Sequence, residues 1–285
     1  MQKWTGPRRA WHTRFDDTFG DTRMLLDKRS FRGLLTVIVL TLLPQLGSAA
    51  CAWNEPGRIW DYTGSIDDKY PIRMSLVFGA GELNGVYVYA SQLRDIRIRG
   101  QIGKDGSVRI DEYGSDGRVS ARFIGSFQER DPQGRYGDRI LACEVIVGQW
   151  QMLDGKRAAM PFYLSAEGAI SGKLSNRYGA IGAVSNQAVH APAERFWRAL
   201  KSGDRNAVAA EIRYPIKVSL NGKIKTLRNA AELLAVYDAV FTPDYRKAIA
   251  AAIPRNMFVR DEGAMLGNGQ VWFGANGKVI ALNNF

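Results

Sequence analysis

Side chains that could carry a proton or a nucleophile are sparse in this chain. Of its two histidines only His190 lies beyond residue 50, so no histidine-based metal cluster is expected there. A Ser-His-Asp or Cys-His arrangement would have that single imidazole to draw on. The two cysteines, Cys51 and Cys143, form no Cys-x-x-Cys, which leaves redox catalysis without its usual dithiol. Gly168-Ala169-Ile170-Ser171-Gly172-Lys173 has neither the spacing nor the following hydroxyl of a phosphate-binding loop. Among carboxylates, Asp238 interrupts an otherwise apolar helical face beside Tyr237, and these two are the acid–base candidates. Asp244 falls in a first helical turn, where an acid complements the helix dipole. Trp197, Tyr214 and Trp272 are candidates for lining a ligand pocket. A third group is cationic: Arg73, Arg97, Arg99, Arg118 and Arg122 occupy the polar positions of alternating segments near Tyr87 and Tyr89, a face suited to phosphates or sugars. No metal and no cofactor is implied by these residues.

The elements that must position them change character along the chain. From Trp60 to Leu164, period-two alternation such as Ile72-Arg73-Met74-Ser75-Leu76 predicts half-buried strands. Asn84-Gly85, Asp105-Gly106, Asp116-Gly117 and Asp154-Gly155 supply tight turns or bulges between them. The expectation is an all-β antiparallel meander over 51–166, closed or nearly closed into a barrel. Residues 167–192, rich in Gly, Ser, Ala and Asn, read as a linker with room for one weak strand. From 193 to 285 the pattern is α+β. Pro192 opens a helix and Asn221-Gly222 turns a hairpin. Asn229 with Glu232 starts a second helical face running through Leu233, Val236, Tyr237 and Val240. Thr242-Pro243 starts a further helix, and three short strands follow. The fold class is therefore two domains, a β meander and then a curved sheet backed by helices.

Residues 1–50 read as an export signal. Lys28, Arg29 and Arg32 precede the apolar run 34–43, and Gly47-Ser48-Ala49-Ala50 supplies small residues for cleavage between Ala50 and Cys51. The run is shorter than the ~20 residues of a membrane span. Met24 begins a signal of ordinary length, so translation is expected to start there. Ser48 stands where a lipobox takes an aliphatic residue, which favours ordinary cleavage over lipidation of Cys51. A Cys51–Cys143 disulfide is the simplest use of two cysteines in an exported chain, with free thiols the alternative. The net charge is +11, of which +4 belongs to residues 1–50 and +7 to the remainder. A mature charge of that size, without a block of like charge, does not call for a nucleic-acid partner.

The segments Tyr70-Pro71-Ile72-Arg73-Met74, Gly85-Val86-Tyr87-Val88-Tyr89, Gly125-Ser126-Phe127 and Gly148-Gln149-Trp150 resemble a β-meander of uncharacterised exported proteins of Gram-negative bacteria. That resemblance implies a fold and a compartment. The element order from Ala193 to Asn284, with Met265-Leu266-Gly267-Asn268-Gly269-Gln270-Val271-Trp272-Phe273, resembles the nuclear-transport-factor-2-like fold. It implies a cone-shaped cavity between helices and sheet, whose use differs among members. The expected protein is periplasmic or secreted, has no membrane span after processing, and binds an envelope component or small molecule without catalysis. An enzyme using the α+β cavity and a protein-interaction module, such as an inhibitor or accessory envelope factor, are the alternatives.

Overall fold

Eight strands close into an antiparallel barrel: β1 Arg58–Ile66, β2 Tyr70–Phe78, β3 Glu82–Tyr89, β4 Ile96–Ile102, β5 Ser107–Tyr113, β6 Val119–Gln128, β7 Val145–Met152 and β8 Met160–Ser171. Each pairs with its sequence neighbour, and β1 also pairs with β8 to complete the circle. The computed structural model describes residues 57–134, 137 and 144–284. Ala50, Cys51, Cys143 and the start at Met24 lie outside them, together with the cleavage and disulfide expectations.

Alternation explains the barrel. Ile72, Met74, Leu76 and Phe78 of β2 face inward with Tyr87, Ile98, Ile110, Phe123, Trp150 and Phe162, and side chains fill the interior. Gly125 and Gly148 face each other in register, and a Cβ on Gly148 would stand 2.1 Å from the Ile124 carbonyl oxygen. The backbones approach there as only glycine allows.

The remainder is α+β. A 3-10 helix, Arg177–Ile181, precedes α1 Asn186–Ser202, α2 Arg205–Ala210, the hairpin β9 Ile216–Leu220 and β10 Lys223–Leu227, then α3 Ala230–Ala235, α4 Tyr237–Val240 and α5 Pro243–Ala251. A four-stranded antiparallel sheet ends the chain: β11 Phe258–Arg260, β12 Gly263–Leu266, β13 Val271–Phe273 and β14 Val279–Leu282. Side-chain bonds between Asn284 and Ser219 tie the hairpin beside β14. A single parallel bridge between Ile212 and Val279 lies next to them. Phe196 of α1 packs edge-on against Phe273 of the sheet, and Phe241 joins them in a filled core. Val88 and Leu93 reach into that core from the barrel side, so the two regions share one compact unit.

Four local expectations are corrected. Asn84-Gly85 makes no turn, because it lies inside β3, where Asn84 pairs with Val77 and Gly85 with Leu76. The stretch 167–192 is no bare linker, because it carries the end of β8, the 3-10 helix and the first turns of α1. The helix starts at Asn186 with Ser185 as its cap, Oγ accepting from Ala188 N–H, and Pro192 lies inside it. Pro192 meets the turn before β14 at Gly277, where a Cβ would stand 2.5 Å from both the Ala188 oxygen and Pro192 Cγ. The expected single helix through Leu233 and Val240 breaks at Val236, whose φ of −123° leaves the helical region.

Candidate functional site

Part of the outer face of β1, β2 and β8 is covered. Asp61, Arg73 and Ser75 on it are buried, because the α+β region packs over them. Arg177, 1% exposed, reaches from the 3-10 helix to donate to Asp61 Oδ2 at 2.6 Å, to Ser75 Oγ at 2.9 Å and to the Met257 carbonyl at 3.2 Å. Ser75 Oγ donates in turn to the other Asp61 oxygen at 2.6 Å. The buried cation therefore has a full set of acceptors, which is the condition for tolerating a charge away from water.

A second layer lies beside it. His190 Nε2 accepts from Asn256 N–H at 3.2 Å, and Tyr178 Oη accepts from Met257 N–H at 2.9 Å. Asn256 Nδ2 and the Arg255 guanidinium both donate to Asp95. Burial, helped by the nearby positive charge of Arg255, pushes His190 down to about 3, so it sits there as a neutral acceptor. Burial opposes the charge on Asp95, but the bonds from Arg255 and Asn256 outweigh it and hold that carboxyl below its ordinary value. The single histidine beyond residue 50 thus fixes a loop and is closed to substrate.

One edge of this seam opens into a groove of about 410 Å³. Thr63, Gly64, Pro71 and Ile72 of the barrel form one wall. The last turn of α5, residues Ala248, Ala251 and Ala252, forms the other, with Ile253, Met265 and the β12–β13 turn. Arg73 and Glu167 also line it. The register between β1 and β8 slips at Asp61 and Tyr62, which pair with Gly168 and Ala166 and leave Glu167 outside the ladder. That bulge frees the Glu167 carboxylate to accept from Arg73 Nη1. Arg73 Nε donates to the Asn256 carbonyl at 2.7 Å. Its Nη2, buried, stands 3.7 Å from Asp61 and has no hydrogen-bond partner. Gln270 Oε1, on the opposite wall, is also buried and without a partner. Gly267, at φ +65°, leaves the room this amide takes, since a Cβ there would stand 2.3 Å from Oε1. Two residues that line this cleft thus each hold a buried polar atom without a hydrogen-bond partner, one a donor and one an acceptor.

The sequence-derived candidates disperse. Arg97, Arg99 and Arg122 do share an outer barrel face, but Asp111 lies between Arg99 and Arg122 in register and accepts from Arg122. Arg97 rests over the Tyr113 ring at 5.1 Å. Arg118 is exposed in the turn before β6, and Arg73 is buried at the edge of the seam, where it lines the groove. Tyr87 and Tyr89 are not on the arginine face. They turn inward, where Tyr87 donates to Glu112 and burial raises its hydroxyl far above the ordinary range. Trp150 Nε1 at 3.2 Å and Ser120 Oγ at 3.0 Å also donate to Glu112, so that carboxylate is a satisfied acceptor.

Trp197, Tyr214 and Trp272 do not converge. Trp197 is buried on α1 with Lys201 Nζ 4.0 Å over its ring. Tyr214 Oη donates to the Ala209 carbonyl, and Trp272 Nε1 to the Gly269 carbonyl on the far face of the sheet. Tyr237 is core, while Asp238 is 64% exposed, bonded to Arg205 at 2.9 Å and 3.8 Å from Arg246. The expected acid–base pair therefore straddles the surface, Tyr237 in the core and Asp238 facing solvent. Glu167 stands in no motif, and Gln270 stands in the segment 265–273 without being singled out there; only the fold brings them to the cleft that Arg73 lines. Among the described residues no group of three or more His, Cys, Asp or Glu could hold a metal ion, and no helix is long and apolar enough to cross a membrane. No protein-family model, curated protein or solved structure matches the chain.

Proposed function

We propose that this is an exported, non-enzymatic binding protein of the cell envelope that takes a small polar molecule in the seam groove. One observation carries the proposal: Arg73 and Gln270 line the same cleft, and each has a buried side-chain atom without a hydrogen-bond partner, Arg73 Nη2 and Gln270 Oε1. A buried polar atom without a partner costs about 1–3 kcal/mol, and a ligand offering an acceptor to Arg73 and a donor to Gln270 recovers it. Hydroxylated or amide-bearing molecules of the envelope, such as sugars and short peptides, have that pairing. Export rests on the apolar run 34–43 with its flanking basic and small residues.

The kinship to the nuclear-transport-factor-2-like fold belongs to the same proposal. What supports it is the hairpin continuing beside β14 and α1 lying on the sheet. Phe196, Phe241 and Phe273 occupy the space between helix and sheet, which moves the ligand site outward to the seam.

Thermal-shift screening of the protein against envelope sugars, peptides and small amides tests the assignment. A ligand that raises the melting midpoint of the wild type and not of Gln270→Leu is the expected result. Silence across the screen, or a shift that Q270L leaves intact, overturns it.

A further inference from the structure

The hairpin β9–β10 concentrates charge of one sign. Between Arg213 and Arg228 lie Lys217, Lys223 and Lys225 and no Asp or Glu. All five cationic residues are exposed. Elsewhere in the α+β region most cations are matched, Arg195 and Lys278 with Glu211, Arg198 with Glu194, Arg205 and Arg246 with Asp238, and the exceptions such as Lys201 and Lys247 lie apart from one another in sequence. Among the described residues none of the five makes an ion pair.

The hairpin also exposes an apolar side chain. Ile224, between Lys223 and Lys225, is 66% exposed. Asn221 and Gly222, at φ +52° and +74°, form the tight turn beside it. The other end is fixed, with Val218 and Leu227 buried in the core. β10 is an edge, pairing only with β9. Ile224 faces Ser219 across the ladder and shares that side with Lys217, while Lys223 and Lys225 flank it on the other.

Lysines on an edge strand ordinarily guard it against pairing with another chain. A guard is weakened by an exposed isoleucine at its centre, so edge protection does not account for residue 224. Nucleic acid is a poorer match, because aromatic rings and arginine forks for stacking are absent from the two strands. The outer barrel face also has arginines and an exposed Ile124, but Asp111 sits among them.

We propose that the β9–β10 hairpin is a contact site for an anionic phospholipid surface. The hairpin tip enters the boundary between headgroups and acyl chains with Ile224, Lys217 reaches lipid phosphates from the same side of the ladder, and Lys223 and Lys225 reach them from the other side of the tip. The proposal is independent of the seam groove.

Co-sedimentation of the protein, as isolated from the cell, with phosphatidylcholine vesicles with and without phosphatidylglycerol tests it. Binding is expected to require the anionic lipid and to weaken with salt. Each lost charge at a membrane surface weakens binding about fivefold, so Lys223→Gln with Lys225→Gln costs about 25-fold and Lys217→Gln alone about fivefold. Ile224→Ser weakens binding at low and high salt alike. All these side chains are exposed, so thermal midpoints stay at the wild-type value and report an intact fold. Equal binding to both vesicle types, no effect of the lysine pair, or tighter binding to a single-stranded oligonucleotide than to vesicles overturns the proposal.

Discussion

Asp61 and Arg177 meet at 2.6 Å across 116 positions of chain, one on a barrel strand and one on the 3-10 helix that follows the barrel. The pair fastens the barrel to the α+β region. Removing one partner of a sealed ion pair leaves an uncompensated charge, which is costlier than removing both.

Asp61→Asn is therefore expected to destabilise the protein by about 3–5 kcal/mol. Urea unfolding reads the loss as a lower midpoint at unchanged slope. The double variant Asp61→Asn with Arg177→Met should lose less than the sum of the two single variants, since neither charge is then stranded.

His190 makes stability depend on pH in a defined window. Its folded-state value of about 3 lies below the ordinary 6.5, so the unfolded chain takes up a proton that the folded one refuses. Stability is then whole above pH 6.5 and is lost as pH falls toward 3, by about 2 kcal/mol between pH 7 and pH 5. The groups facing the imidazole are Tyr178, Asp95, Arg177 and Arg255. Calorimetry at pH 7 and pH 5 checks it: His190→Gln, which keeps an acceptor for Asn256 N–H, should lose that difference.

Gly148→Ala is expected to cost about 3 kcal/mol, the upper part of the range for overpacking, because the new methyl meets backbone carbonyl and has no side chain to displace. Far-ultraviolet circular dichroism during thermal unfolding measures it. Ser126→Ala, one position from Gly125 on the facing strand, should change stability by less than about 0.5 kcal/mol.

Gln270→Leu should raise stability by about 1 kcal/mol without ligand, because an unpaired buried oxygen is removed. Thermal denaturation of the unliganded protein reads this separately from binding. A loss instead would mean that the amide already has a partner in solution.

Local chemistry made much of the fold legible. Period-two alternation and the glycine turns found the barrel strands, and Asn221-Gly222, Asn229 with Glu232, and Thr242-Pro243 marked the hairpin and two helix starts. Local chemistry failed at Pro192, where an upstream serine cap moved the helix start, and along 167–192, where weak apolar content hid a 3-10 turn.

The sequence by itself determined element type and inward parity, because both depend on neighbours one to four positions away. Tertiary structure alone decided which polar positions are surface. Arg73 and Arg97 read alike as strand arginines, yet one is buried and the other exposed. The difference is that a second region packs on β1, β2 and β8 and leaves the face around β4 open. The seam groove follows from the same cause: Arg73, Glu167 and Gln270 lie in three distant segments, and no spacing along a chain encodes a meeting made by packing.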